Sequence, residues 1–332
     1  MKQKQPDSLS RRAMKLLCRL LGIVLVVMLA ATMAFQSLLD QIQYTAPSPE
    51  AGESSLSILS PVSLGFSQSE SSHERIGGTG SGILNILFVG QDRREGENQA
   101  RSDSMILCTF HKESKQITMT SFLRDLYVEI PGHASNRINA AYAQGGMPLL
   151  QKTLTHNFGL HIDGTVEVDF AQFSGIIDLL GGVTIELRQD EANVINKETG
   201  SSLTEGTQIL TGAQALVYSR IRNLDTDGDV SRTNRQRKVL HALLDAYKDI
   251  RLNDLVPMLS QLLPMITTDM NNGQLLVFAL EVLPSLSQVQ IVSQRIPSEG
   301  TYTDKTIDGM SVLAADMDAA RTVLKDSLLG NG

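Results

Sequence analysis

Cysteine is nearly absent: Cys18 and Cys108 are the only two in 332 residues, so no framework of bridges holds a small core together. A broad basic face is missing as well. The chain carries a net charge of −7, and an acidic body repels a polyanion at long range, which excludes general nucleic-acid binding. With 42% hydrophobic and 20% charged residues, the composition also excludes collagen and a chain disordered throughout. The sequence has no P-loop, no G-x-G-x-x-G between a strand and a helix, and no His-rich metal signature. No internal repeat recurs at a period of 20 to 50 residues.

What charge there is lies unevenly. Residues 1–19 hold six Lys and Arg against Asp7, a net +5, which leaves −12 on the remainder. The one long apolar run follows at once, over residues 20–39, interrupted in its first sixteen residues only by Gly22 and Thr32. That length suits a membrane-spanning helix. All the early cations precede it and the next, Arg75, lies far downstream, so the positive-inside rule puts the N-terminus in the cytoplasm and the rest outside. The end of the run, from Ala30 to Phe35, offers no clean small-x-small cleavage site, so an uncleaved anchor is expected. Residues 40–82 turn to Ser, Pro, Gly and Glu and end in Gly77-Gly78-Thr79-Gly80-Ser81-Gly82. This reads as a flexible tether spanning roughly 35 Å root-mean-square as a coil. The outer domain is then residues 83–332, enough for one well-buried α/β core.

The bilayer would separate the two cysteines. Cys108 falls in the β-rich run Met105-Ile106-Leu107-Cys108-Thr109-Phe110, where a buried, inert thiol is expected. Residues 83–89 read as a buried central strand. Residues 104–110 and 116–122 read as a hairpin turning between Glu113 and Ser114. Facing positions then sum to 227, pairing Phe110 with Ile117, Cys108 with Met119 and Met105 with Phe122. The same register sets Asp103 opposite Arg124 at the open end, with Asp125 beside it. Helices are expected over 139–157 and 170–180, and strands over 166–169 and 183–187. This alternation predicts an α/β fold with a mixed sheet that contains an antiparallel hairpin and is covered by helices on both faces. The C-terminal third is expected to be mainly helical. Its Leu- and Met-rich segments, residues 255–259 and 262–265, read as core or as the lining of an apolar groove.

The densest charge of the outer domain runs from Arg220 to Lys238. Alternating charge most often marks a solvated face, but the pattern here points inward. An extended Tyr218-Ser219-Arg220-Ile221-Arg222 would put both guanidinium groups on one side. A helix starting near Asp229 has its apolar stripe at Val239, Leu240, Leu243, Leu244 and Tyr247, and projecting this backwards turns Gln236 and Arg232 toward the protein. Inward arginines at a helix start need anions, which Asp92, Asp103, Asp125 or a bound phosphate would supply. Arginine forks mixed with carboxylates suit a diphosphate bridged to the protein by Mg²⁺.

At this point the ordered set becomes recognisable. Asn85-Ile86-Leu87-Phe88-Val89-Gly90-Gln91-Asp92, Arg101-Ser102-Asp103, Ser121-Phe122-Leu123-Arg124-Asp125, Arg137-Ile138-Asn139-Ala140-Ala141-Tyr142, Gly181-Gly182-Val183, Leu210-Thr211-Gly212-Ala213-Gln214-Ala215-Leu216, Tyr218-Ser219-Arg220-Ile221-Arg222 and the run from Asp229 to Gln236 follow one another. Together they resemble the LytR-CpsA-Psr family of bacterial cell-wall glycopolymer transferases. The resemblance implies a membrane-anchored enzyme that moves a glycan phosphate, such as teichoic acid or capsule, from a polyprenyl-pyrophosphate carrier to a hydroxyl of peptidoglycan. It also implies Mg²⁺ at the pyrophosphate and an apolar tunnel for the polyprenyl tail. By motif position, Asp92 and Asp103 look like the metal-side carboxylates, and Arg124, Arg220, Arg222, Arg232 and Gln236 like the diphosphate ligands. Asp103 is the first choice as proton acceptor and Asp125 the second. The alternative is a non-catalytic, regulatory binder of the same carrier. Leu123 and Arg137 depart from the pattern, standing where Pro and Lys are common.

Overall fold

The computed structural model describes residues 43–44, 82–92, 101–226, 228–247, 258, 261–271, 274–275, 282 and 288–328. The expected membrane helix and most of the expected tether lie outside them. Among the described residues no helix is long and apolar enough to cross a membrane.

In chain order the elements are β1 (Gln43–Tyr44), β2 (Ile83–Asp92), β3 (Arg101–His111), β4 (Gln116–Phe122), β5 (Tyr127–Val128), β6 (Asn136–Arg137), α1 (Ile138–Phe158), β7 (Gly164–Asp169), α2 (Phe170–Leu179), β8 (Val183–Leu187), α3 (Gln189–Thr199), β9 (Gly206–Leu210), α4 (Gly212–Arg220) and α5 (Asp229–Tyr247). β10 (Thr267–Thr268), β11 (Gln290–Ile296), β12 (Tyr302–Ile307), β13 (Met310–Ala315) and α6 (Met317–Leu328) follow. The main sheet runs β1-β10-β7-β2-β3-β4-β11. It is mixed: β2 pairs antiparallel with β3 and parallel with β7, and β11 lies parallel to β4. β1, inside the expected tether, pairs with β10.

The hairpin has the expected register, with Phe110 opposite Ile117 and Cys108 opposite Met119. Alternation along these strands then sorts the side chains onto two faces. Leu87, Val89, Met105, Leu107 and Phe122 pack with α1 and α6 residues such as Leu150, Leu154 and Leu324. Ile106, Phe110, Ile117 and Met119 pack on the opposite face with Leu240 and Leu244 of α5. Helices therefore cover both faces. The α1 helix breaks at Gly145 and Gly146 (φ 63), just before Pro148, because only glycine takes a positive φ cheaply and proline removes a helical donor. Cys108 is a free, partly buried cysteine, and burial pushes its thiol up to about 12, which disfavours the reactive thiolate.

The described part of the C-terminal third adds the strands β11, β12 and β13 to the helices expected there. Parallel pairing to β4 secures β11, and its last residue, Ile296, is fully buried. One expectation is corrected: the stretch from Tyr218 to Arg222 is not extended throughout. Thr211 and Gln214 form a reciprocal capping box that starts α4, and the helix runs on to Arg220 before Ile221 turns extended at φ −59, ψ 128.

Candidate active site

A cavity of about 1120 Å³ lies between the α5-side face of the sheet and the helices α2, α4 and α5. Phe88, Ile106, Val166 and Val168 form the sheet side, and Phe173, Ile176, Leu216, Leu240, Leu243 and Ile266 close it from the other. The polar lining gathers where β2 and β7 end and β3 begins: Asp103, Arg124, Asp169, Arg220, Arg222, Arg232 and Gln236. The apolar walls come mainly from strands and from α2, α4 and α5. Of the Leu- and Met-rich segments expected to line a groove, 255–257 and 259 lie outside the described residues, and Ile266, just beyond the second, is the lining residue nearest to them.

Local structure places each group. Asp103 is the third residue of β3, near the end of the hairpin ladder, and Arg124 Nη1 donates to its Oδ1 at 3.1 Å. Arg232 Nη1 and Arg222 Nη2 face the same oxygen at 3.7 and 3.8 Å, and Arg232 Nη2 donates to the Asp103 carbonyl at 3.2 Å. Asp229, the first residue of α5, lies 3.2 Å from Arg124 Nε and 2.8 Å from Arg232 Nη2. These contacts are close but poorly aligned. Both Asp229 oxygens, Arg124 Nε, and Arg232 Nε and Nη1 are buried with no hydrogen-bond partner among the described residues. Arg220 ends α4 with its guanidinium 4.4 Å above the Phe170 ring, and Gln236 lines the cavity one turn beyond Arg232.

The electrostatics follow from this geometry. Arg232 is only 2% exposed. Burial lowers its pKa to about 10; Asp229 opposes the shift, while Arg124 and Arg222 add to it. Arg124 is pushed upward instead: burial lowers it, but Asp229, Asp125 and Asp103 together outweigh burial. The mouth thus concentrates more guanidinium than carboxylate, and unsatisfied buried donors of that kind are costly unless an anion completes them.

Asp125 stands apart from the cavity lining. It meets Arg124 Nε at 3.5 Å and Arg137 Nη1 at 3.3 Å, so it sits behind Arg124. Asp92 ends β2 opposite Arg101, and its side chain lies outside the described structure. Asp169 and Phe170 are lining residues that sequence reasoning missed. Asp169 caps α2 by accepting from Gln172 N at 2.8 Å, and the Asp-x-x-Gln spacing was the signal available.

An apolar chamber thus lies under an arginine-rich mouth. The chain belongs to the LytR_cpsA_psr family, whose model matches residues 62–327. It is 33% identical over 234 residues to the polyisoprenyl-teichoic acid–peptidoglycan teichoic acid transferase TagT of Bacillus subtilis, covering 67% of this chain and 72% of TagT. It is 31% identical over 252 residues to the regulatory protein MsrR of Staphylococcus aureus, covering 74% and 75%. Among solved structures, TagT bound to LI-WTA superposes with a TM-score of 0.62 at 28% identity over 76% of this chain and 92% of that one. The family protein YwtF (TagT) with bound octaprenyl pyrophosphate gives 0.59 at 26% identity with the same coverages.

Proposed function

We propose that this protein is a membrane-anchored phosphotransferase that moves a glycan phosphate from a polyprenyl-pyrophosphate carrier to a peptidoglycan hydroxyl. The observation that carries this reading is the joining of a 1120 Å³ apolar-walled cavity to a mouth bearing Arg124, Arg220, Arg222 and Arg232. The polyprenyl tail enters the cavity, and the arginines and Gln236 hold the diphosphate. The attacking hydroxyl forms a bond to the phosphorus next to the glycan, the P–O–P bond breaks, and polyprenyl phosphate leaves. Asp103 takes the proton; its position in the mouth supports this assignment, whereas Asp125 serves by holding Arg124. Arginine contacts that strengthen as charge moves onto the leaving phosphate lower the barrier.

The donor set suits Mg²⁺. No group of three or more His, Cys, Asp or Glu able to hold a metal exists among the described residues. One or two carboxylates with phosphate oxygens and water is the usual magnesium environment, and Asp103 with Asp92 would supply the protein's share. When bound, the ion would neutralise charge on the diphosphate. The regulatory names of relatives such as MsrR favour the alternative, a binder that does not turn the carrier over.

Because the chain has no Trp, Phe173→Trp gives a clean fluorescence reporter on the cavity wall. Prenyl diphosphates of increasing length should shift its emission, each added prenyl unit tightening binding several-fold until the cavity is full. Prenols without the diphosphate should bind at least tenfold more weakly. Affinity independent of chain length would remove the cavity from the tail-binding role.

A further inference from the structure

Not every arginine of the Arg220–Lys238 run belongs to the mouth. Arg235 turns away from the cavity and is 3% exposed, yet it is fully engaged. Its Nε donates to Glu191 Oε1 at 2.8 Å, its Nη1 to the Ile221 carbonyl at 3.2 Å, and its Nη2 to Asp225 Oδ2. The other Asp225 oxygen accepts from Arg188 Nη1 at 2.8 Å. Arg188 is in turn held by both oxygens of Asp190 at 3.0 and 3.1 Å. Glu191 Oε2 accepts from the Arg188 backbone N–H at 3.1 Å. Glu191, Asp190 and Asp225 therefore neutralise Arg188 and Arg235 locally, the opposite of the balance at the mouth. Hydrogen bonds from Arg188, then Arg235, hold the Asp225 carboxyl down at about 2.

These bonds converge on the connection between α4 and α5. Arg235 grips its first residue, Ile221, and Asp225, while Gly228 N donates to the Asp225 carbonyl at 3.4 Å. Arg222 lies between the two gripped points. Its side chain is 37% exposed and touches Asp103 only at 3.8 Å, so its own contacts do little to fix it. Arg124 and Arg232 are instead fixed by shorter contacts of their own.

We propose that Glu191, Arg235, Asp225 and Arg188 form a clamp that positions Arg222 over the diphosphate. Arg235 and Asp225 are positioning residues of the reaction, and α3, remote from the cavity lining, takes part through Glu191. The inference rests on the mouth being a diphosphate site. It adds that the contribution of Arg222 depends on the backbone that carries it.

The test is a double-mutant cycle read in farnesyl diphosphate affinity, with turnover in parallel. Asp225→Asn should weaken affinity about tenfold in the parent chain and less than twofold in the Arg222→Ala background, because the positioned group is already gone. Arg188→Gln, a change at a half-exposed residue that leaves the Arg235 contacts in place, should repeat the pattern at smaller amplitude. Melting temperature should fall by the same amount in both backgrounds, since the clamp's structural role does not depend on Arg222. Equal loss of affinity in the two backgrounds, or no loss in the parent chain, would overturn the clamp. Farnesyl diphosphate binding with intact coupling but no turnover would leave the clamp standing and overturn the transferase reading instead.

Discussion

Arg232→Met is expected to lose at least a hundredfold in turnover while melting within a few degrees of the parent or above it. The two effects have different origins. Arg232 is buried and its pKa falls to about 10 from 12.5, so its charged form is less favourable in the folded chain than in the unfolded one. A shift of that size corresponds to on the order of 3 kcal/mol working against folding. For a base whose folded pKa is depressed, this destabilisation is complete at neutral pH and fades as pH rises through about 10. Methionine fills similar space without the charge. It gives up the bond to the Asp103 carbonyl and the contact to Asp229, while Arg124 remains beside both acids. Loss of a charge-assisted contact made in the transition state costs a few kcal/mol in rate. Differential scanning calorimetry with and without pyrophosphate checks the stability half, and the ligand should protect the parent far more than the variant. A variant that melts far below the parent and gains no protection would make Arg232 a structural ion-pair partner.

Asp103→Asn separates the metal from the carrier. The substitution keeps the size, removes one negative charge from a mouth already rich in guanidinium, and leaves the apolar cavity intact. Carrier affinity should stay within a few-fold of the parent, since the tail contributes independently. Turnover should fall about a hundredfold, and its Mg²⁺ titration should move to higher concentration, because a cation held largely by substrate phosphates loses one of its few protein oxygens. Normal turnover with an unchanged Mg²⁺ titration would remove Asp103 from both the metal-side and the proton-accepting role.

Much of this site is readable in the sequence because two periodicities carry it. The hairpin arithmetic brings Asp103 to Arg124, and the structure has them 3.1 Å apart, since a strand period of two leaves little freedom once the turn is located. The 3.6 period of α5 turns Arg232 and Gln236 inward, and both line the cavity. Other features depend on distant partners. Arg232 and Arg235 look alike in the sequence, and only Glu191, forty-four positions away, makes one a clamp residue. Tyr218 to Arg222 alternates like a strand, yet the capping box at Thr211 and Gln214 and the burial of Tyr218 carry the helix to Arg220. β11 was hidden because its pattern is that of a half-exposed edge, with Val292 45% exposed, while the Leu- and Met-rich segments before it suggested helix. Asp169 and Phe170 fall where a strand passes into a helix, and their place in the cavity lining depends on α4 and α5, which line the same cavity.

The central claim, that the arginine-rich mouth and the cavity form the donor site of a phosphotransferase, meets its most direct test in a transfer assay. The purified chain is incubated with a labelled polyprenyl-diphospho-glycan, Mg²⁺ and peptidoglycan oligomers. Label should appear on the oligomers with release of polyprenyl monophosphate, and Arg222→Ala should abolish both. Tight binding of the carrier with no label transferred and no polyprenyl phosphate released would contradict the claim and leave a non-catalytic binder.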